Sequence, residues 1–270
     1  PLQAVTEPSP NSPPWGIWVA LGVWVASVLA IIVFPGLFLL PYAASLNGQF
    51  ASQEELFEFL KNDPKSLFLQ VIAVIPAHVV TLIAAWFVVT RARRFSFRKV
   101  LGWEMGGFKW WYFAVILGGF FGIAGITGYF VPETENEFLR ILKSSRDAVI
   151  AIAFLATFTA PLVEEVVYRG LLYSAFQSRF GANTGVLTVT ALFAAVHVPQ
   201  YYPSFSTIFL LVLLSLTLTM VRVISNNLLP CVILHMLFNG IQSVLLILEP
   251  YLPKTSQATT ETAAFFFGLK

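Results

Sequence analysis

The stretch Pro161–Gly170, PLVEEVVYRG, sets two adjacent carboxylates and a guanidinium in an apolar run. All but two of the chain's 14 Asp and Glu residues fall in loops, tails or the edges of apolar segments; the two are Glu164 and Glu165. On the same reading Arg169 is the only Lys or Arg deep in such a segment. A charge at the centre of a membrane helix costs about 2.5–3.5 kcal/mol, so three cost about 8–10 kcal/mol before pairing. Groups this costly face a bundle interior or a water-filled cavity, and they point to function. Glu165 and Arg169 stand at i,i+4, so they share a helix face and can pair. Glu164 lies about 100° further round and is left available. Its own i+4 neighbour, Tyr168, is a candidate hydrogen-bond partner. The competing reading is a buried ion cluster that only fixes helix packing.

Two histidines extend this set. His197 closes the stretch FAAVH, and His235 opens HMLFN, whose Asn239 lies at i+4 on the same face. His78, with only Thr81 at helical spacing, reads as a packed residue with one hydrogen bond. A carboxylate that activates water, with His and Asn donors for a developing oxyanion, has the makings of peptide-bond hydrolysis. There is no Ser-nucleophile elbow and no HExxH zinc motif. Should Zn²⁺ take part, its candidate ligands are Glu164, His197 and His235. The alternative is a proton-coupled transporter or a non-catalytic membrane scaffold, since buried Glu, His and Arg also build proton relays. A relay strings its groups across the bilayer; a hydrolase gathers Glu164, His197, His235 and Asn239 round one point.

The elements that must position these residues are membrane spans. Of 270 residues, 57% are hydrophobic and 11% charged, and mean hydropathy is +0.77. Soluble domains carry about 25% charged residues. The expected fold class is therefore all-α, a polytopic bundle of seven to eight transmembrane helices around a buried polar cavity, integral to a membrane and in contact with its lipids. A net charge of +2 gives no footing for a nucleic-acid partner. Cys231, the single cysteine, reads as a small buried hydrophobe.

The expected organisation is an N-terminal tail (1–14), a helical bundle (15–249) whose core 148–245 bears the motifs, and a C-terminal tail (250–270). Spans are predicted near 15–45, 66–90, 110–131, 148–178, 184–198, 205–221 and 227–248. Pro35-Gly36 and Pro41 are expected to end the first span, and Pro161 offers a break in the fourth. Pro199 and Pro203 divide the fifth from the sixth. The stretch SQEELFEFLK has the spacing of a short surface helix. The loop 91–109 is strongly basic, which places it in the cytoplasm, with the N-terminus on the same side. Counting along the spans then puts His197 near the outer end of its helix and His235 near the inner end of its own, at different depths.

The motifs together resemble a known family. EEVVYRG looks like the EExxxR motif of the CPBP family, the CAAX-prenyl-protease and bacteriocin-processing proteins that include type II CAAX endopeptidases. FAAVH matches its FxxxH motif, and HMLFN its HxxxN motif, in the family's order. The resemblance covers about residues 148–245. It implies an intramembrane endopeptidase in which Glu164 activates water with help from His197, His235 and Asn239 form the oxyanion site, and Glu165 and Arg169 orient the site. It implies a peptide or protein substrate and, for a bacterial chain, the plasma (inner) membrane. Relatives are often described as metalloproteases.

Overall fold

A backbone surrounded by lipid has no water to satisfy its N–H and C=O groups, so it must bond to itself. The computed structural model describes residues 7–46, 48–131, 134, 141–142, 146–248 and 251, and among these every long element is helical. In chain order they are α1 (Ile17–Ser45), α2 (Gln53–Asn62), α3 (Pro64–Ile72), α4 (Val74–Thr90), α5 (Phe97–Leu101), α6 (Trp110–Phe130), α7 (Arg146–Phe180), α8 (Ala182–Tyr201), α9 (Phe205–Ser225) and α10 (Leu229–Leu248). Seven segments are long and apolar enough to cross a membrane: α1, α3 with α4, α6, α7, α8, α9 and α10. Large side chains such as Trp18, Ile32, Phe130, Leu187 and Ile224 point outward, as lipid-facing residues would. The expected loop 132–147 and tail 250–270 fall mostly outside the described residues.

Several proline positions behave differently from the sequence reading. Pro35 and Pro41 lie inside α1, which runs on to Ser45. At 29 residues it is about 43 Å long, well beyond a hydrocarbon core of about 30 Å. Pro199 lies inside α8, and the helix yields only at Tyr202–Ser204. The break falls instead in the second span. Pro76 has no N–H for the carbonyl four residues back, at Ile72, and α3 stops there. The surface helix α2 forms as predicted, with Ser52 Oγ accepting from Glu55 N at 3.2 Å.

Two apolar clusters hold the bundle. One joins Val163, Val166, Val167 and Leu171 of α7 to Val23 of α1, Phe193 of α8 and Val232 of α10. The other joins Phe113 and Phe120 of α6 to Leu214 and Leu218 of α9 and Phe238 of α10. The segment before α1 also docks: Trp15 Nε1 donates to Leu171 O (3.1 Å), and Pro10 O accepts from Ser174 Oγ (2.7 Å) and Arg222 Nη2 (2.7 Å). Arg222 is a second buried guanidinium, 1% exposed. A sixth span ending at 221 leaves it at the edge, whereas α9 runs on to Ser225 and carries it inside.

Helix starts settle the depth problem. Leu228 N donates to Leu101 O (3.2 Å) and Gly102 O (2.9 Å), so α10 begins inside the bundle against α5. Gly102 makes this approach, with φ +70° and a would-be Cβ 2.6 Å from Asn227 Oδ1. α8, by contrast, begins with exposed residues at 182–184. His197 is thus about 22 Å along α8 and His235 about 9 Å along α10, yet the offset starts bring them level.

Candidate active site

α7 carries the centre of the site, and it is not a uniform α-helix. It is α-helical at Arg146–Phe154, Ala160–Glu164 and Tyr173–Phe180, with wider π turns at Leu155–Thr159 and Glu165–Leu172. Such turns recur at functional sites. The chain does not break at Pro161; the first π turn precedes it. Ala160 N–H donates to Leu155 O, five residues back. The carbonyl of Ala156 therefore loses its α partner, and its π partner would be Pro161, which has no N–H. Asn239 supplies the missing donor, with Nδ2 2.8 Å from Ala156 O. Its second amide hydrogen stays available to the cavity.

This repair makes a prediction. Asn239→Leu leaves a carbonyl unpartnered and is expected to lower stability by about 1–3 kcal/mol. Adding Pro161→Ala restores an N–H at 161 and should recover part of that loss. Thermal unfolding in detergent of both singles and the double checks it: strict additivity would show that the two positions are uncoupled.

Glu165 and Arg169 are fully buried and joined at 2.8 Å. Arg169 also donates to Thr219 Oγ1 (3.2 Å), Ser215 O (2.8 Å) and Ser215 Oγ (2.9 Å), and lies 5.0 Å from the centre of the Phe193 ring. Each of the three guanidinium nitrogens thus has a partner, and the side chain ties α7 to α9. Ser215 and Thr219 were missed in the sequence; their i,i+4 spacing in an apolar span was the available signal.

Glu165 Oε1 also accepts from His235 Nδ1 at 2.8 Å. His197 Nδ1 donates to Phe193 O at 2.7 Å, and the Phe193 ring stacks on the imidazole at 4.5 Å. Carboxylate and carbonyl oxygens accept, so each Nδ1 carries the proton. In the neutral rings both Nε2 atoms are then bare acceptors, and both face Glu164. His197 Nε2 lies 3.9 Å from Oε1, and His235 Nε2 3.8 Å from Oε2. Glu164 itself is partly exposed and makes no closer polar contact among the described residues. The structure brings Glu164, Glu165, Arg169, His197 and His235 into one cluster, with Asn239 one turn beyond His235. His78 is buried, with Nδ1 3.0 Å from Thr159 Oγ1, as a packed residue with one hydrogen bond.

The donor types of Glu164, His197 and His235 suit zinc, but their spacing does not. Bonds of about 2.0–2.2 Å would set tetrahedral neighbours about 3.3–3.6 Å apart. Among the described residues no three His, Cys, Asp or Glu side chains are grouped to hold a metal ion.

Glu164, His197, His235 and Asn239 open onto a cavity of about 700 Å³. The rest of its wall is mostly apolar, with Ile31, Val71, Phe120 and Leu210 among its lining, and it also carries His78, Tyr168, Gln200 and Gln242.

Residues 146–241 match the family described as Type II CAAX prenyl endopeptidase Rce1-like. The match covers a little over a third of the chain, takes in all three motifs, and supports the CPBP resemblance. No curated protein and no solved structure matches the chain.

Proposed function

We propose that this chain, whose motif-bearing core matches CAAX-type endopeptidases, is an intramembrane peptidase that hydrolyses a peptide bond with water activated by Glu164. The observation that carries the reading is convergence. Two imidazoles on different helices turn Nε2 toward opposite oxygens of one carboxylate, at 3.8–3.9 Å. That separation is too long for a direct hydrogen bond and suits a single bridging water.

The water donates to Glu164 and to His197 Nε2, and its oxygen attacks the scissile carbonyl carbon. One water proton passes to the carboxylate. The tetrahedral intermediate places its oxyanion within reach of the free Asn239 amide hydrogen. His235 becomes a second donor only once its Nε2 has taken a proton. As the C–N bond breaks, the proton held by Glu164 goes to the leaving amine. Glu165 and Arg169 touch no reacting atom; they fix the tautomer and tilt of His235. The apolar wall of the cavity favours a peptide or protein substrate with apolar groups flanking the scissile bond.

A proton relay would spread these groups across the bilayer, whereas here three meet within 4 Å. The test is cleavage of a quenched peptide library by purified protein, wild type against Glu164→Ala at equal folded amounts. Cleavage by the wild type alone is expected. Equal cleavage by both would remove Glu164 as the base. Proton flux through reconstituted vesicles without any cleavage would favour the relay.

A further inference from the structure

The groups crowded around Glu164 are acceptors: two carboxylate oxygens and two bare ring nitrogens. A scissile carbonyl oxygen is an acceptor too, and charge growing on it needs donors in place before any proton has moved. Tyr168 holds such a donor. Trp24 Nε1 of α1 lies 3.0 Å from the Tyr168 hydroxyl. An indole N–H can only donate, so the phenol oxygen receives and its own proton remains for another acceptor. Among the described residues no hydrogen bond takes that proton. Tyr168 is buried, one helical turn beyond Glu164, and both side chains line the cavity, as does Trp24. The phenol ring meets Phe193 edge-on at 5.1 Å, and Phe193 stacks on His197. One aromatic plate therefore spaces the phenol from the imidazole.

We propose that Tyr168 is a further catalytic residue, donating its O–H to the scissile carbonyl oxygen as negative charge develops there. Trp24 is the positioning residue that keeps the phenol turned to the cavity. No covalent bond changes at Tyr168, and its proton stays on the phenol. The inference rests on the hydrolytic reading of Glu164.

The test uses the best-cleaved peptide from the quenched library, with wild type, Tyr168→Phe, Trp24→Phe and Glu164→Gln. Tyr168→Phe is expected to lower kcat about 100-fold with KM within about threefold, as for loss of one oxyanion donor. Trp24→Phe is expected to lower kcat about 10-fold, again sparing KM. A phosphinic peptide of the same sequence, which mimics the tetrahedral state, should lose affinity for Tyr168→Phe in proportion to kcat/KM. Unchanged kcat in Tyr168→Phe overturns the proposal. So does a loss confined to KM, which would make Tyr168 a packing residue. Should Tyr168→Phe fail to fold, Trp24→Phe decides, and wild-type kcat there overturns the proposal. An inactive Glu164→Gln beside an unaffected Tyr168→Phe removes this inference alone. A fully active Glu164→Gln removes the base, and a wild type that cleaves nothing overturns both readings.

Discussion

Glu164→Gln is expected to lower kcat by about 10²–10⁴-fold, the usual contribution of a positioned general base, while stability changes by less than about 1 kcal/mol. The two halves of that expectation come from different observations. Gln keeps the shape and one acceptor oxygen but cannot take the proton of a bridging water. Stability is spared because the side chain is partly exposed and its nearest polar partners, His197 and His235, are 3.8–3.9 Å away. Steady-state kinetics and thermal unfolding on one preparation check both halves. A kcat near that of the wild type would remove Glu164 from the reaction. A large drop in melting temperature would make it a structural member of the cluster.

Arg169→Met should invert that pattern. Removing the guanidinium leaves Glu165 buried with one partner fewer, strips Ser215 and Thr219 of their donor, and takes away the cation over Phe193. Breaking a buried ion pair from one side costs about 3–5 kcal/mol. Activity is expected to fall with it, because Glu165 also holds His235. The double variant Glu165→Leu/Arg169→Met separates the two effects. With both charges gone no ion is stranded, so much of the stability should return. Cleavage should not, since His235 has lost the carboxylate that fixes its tautomer. A stable Arg169→Met single variant would mean that the pair contributes little to the bundle.

The i,i+4 spacing of Glu165 and Arg169 made their pairing legible in the sequence, as it made legible the separation of Glu164 from that pair. Hydrophobicity was enough to find seven spans, because lipid leaves the backbone few other ways to satisfy itself. Proline was a poorer guide. Pro35, Pro41 and Pro199 stay inside helices, and the break appears at Ile72. A helix end depends on whether another group donates to the released carbonyl, and that donor lies elsewhere in the chain. At Ala156 it is Asn239, 83 positions away. Depth was obscured for a related reason: where α10 starts is set by the carbonyls of Leu101 and Gly102 at the end of α5. Trp24 was invisible as a site residue because its partner, Tyr168, is 144 positions distant.

The wide turns of α7 have a consequence for how this helix tolerates change. A π turn is an α-helix that has accommodated an extra residue. Deleting one residue within Leu155–Thr159 would let that stretch return to an α path, and the helix would remain continuous. Because the π turn already absorbs the extra residue, the segments before and after the deletion would keep nearly the facing they have now. A deletion within the α-helical stretches Ala160–Glu164 or Tyr173–Phe180 would instead turn one flank by about 100° relative to the other. The central helix should therefore absorb the loss of one residue at either π turn more easily than in its α-helical stretches. Natural length variation within α7 among proteins built this way should collect at its two π turns, while the count of residues in the α-helical stretch Ala160–Glu164 stays constant.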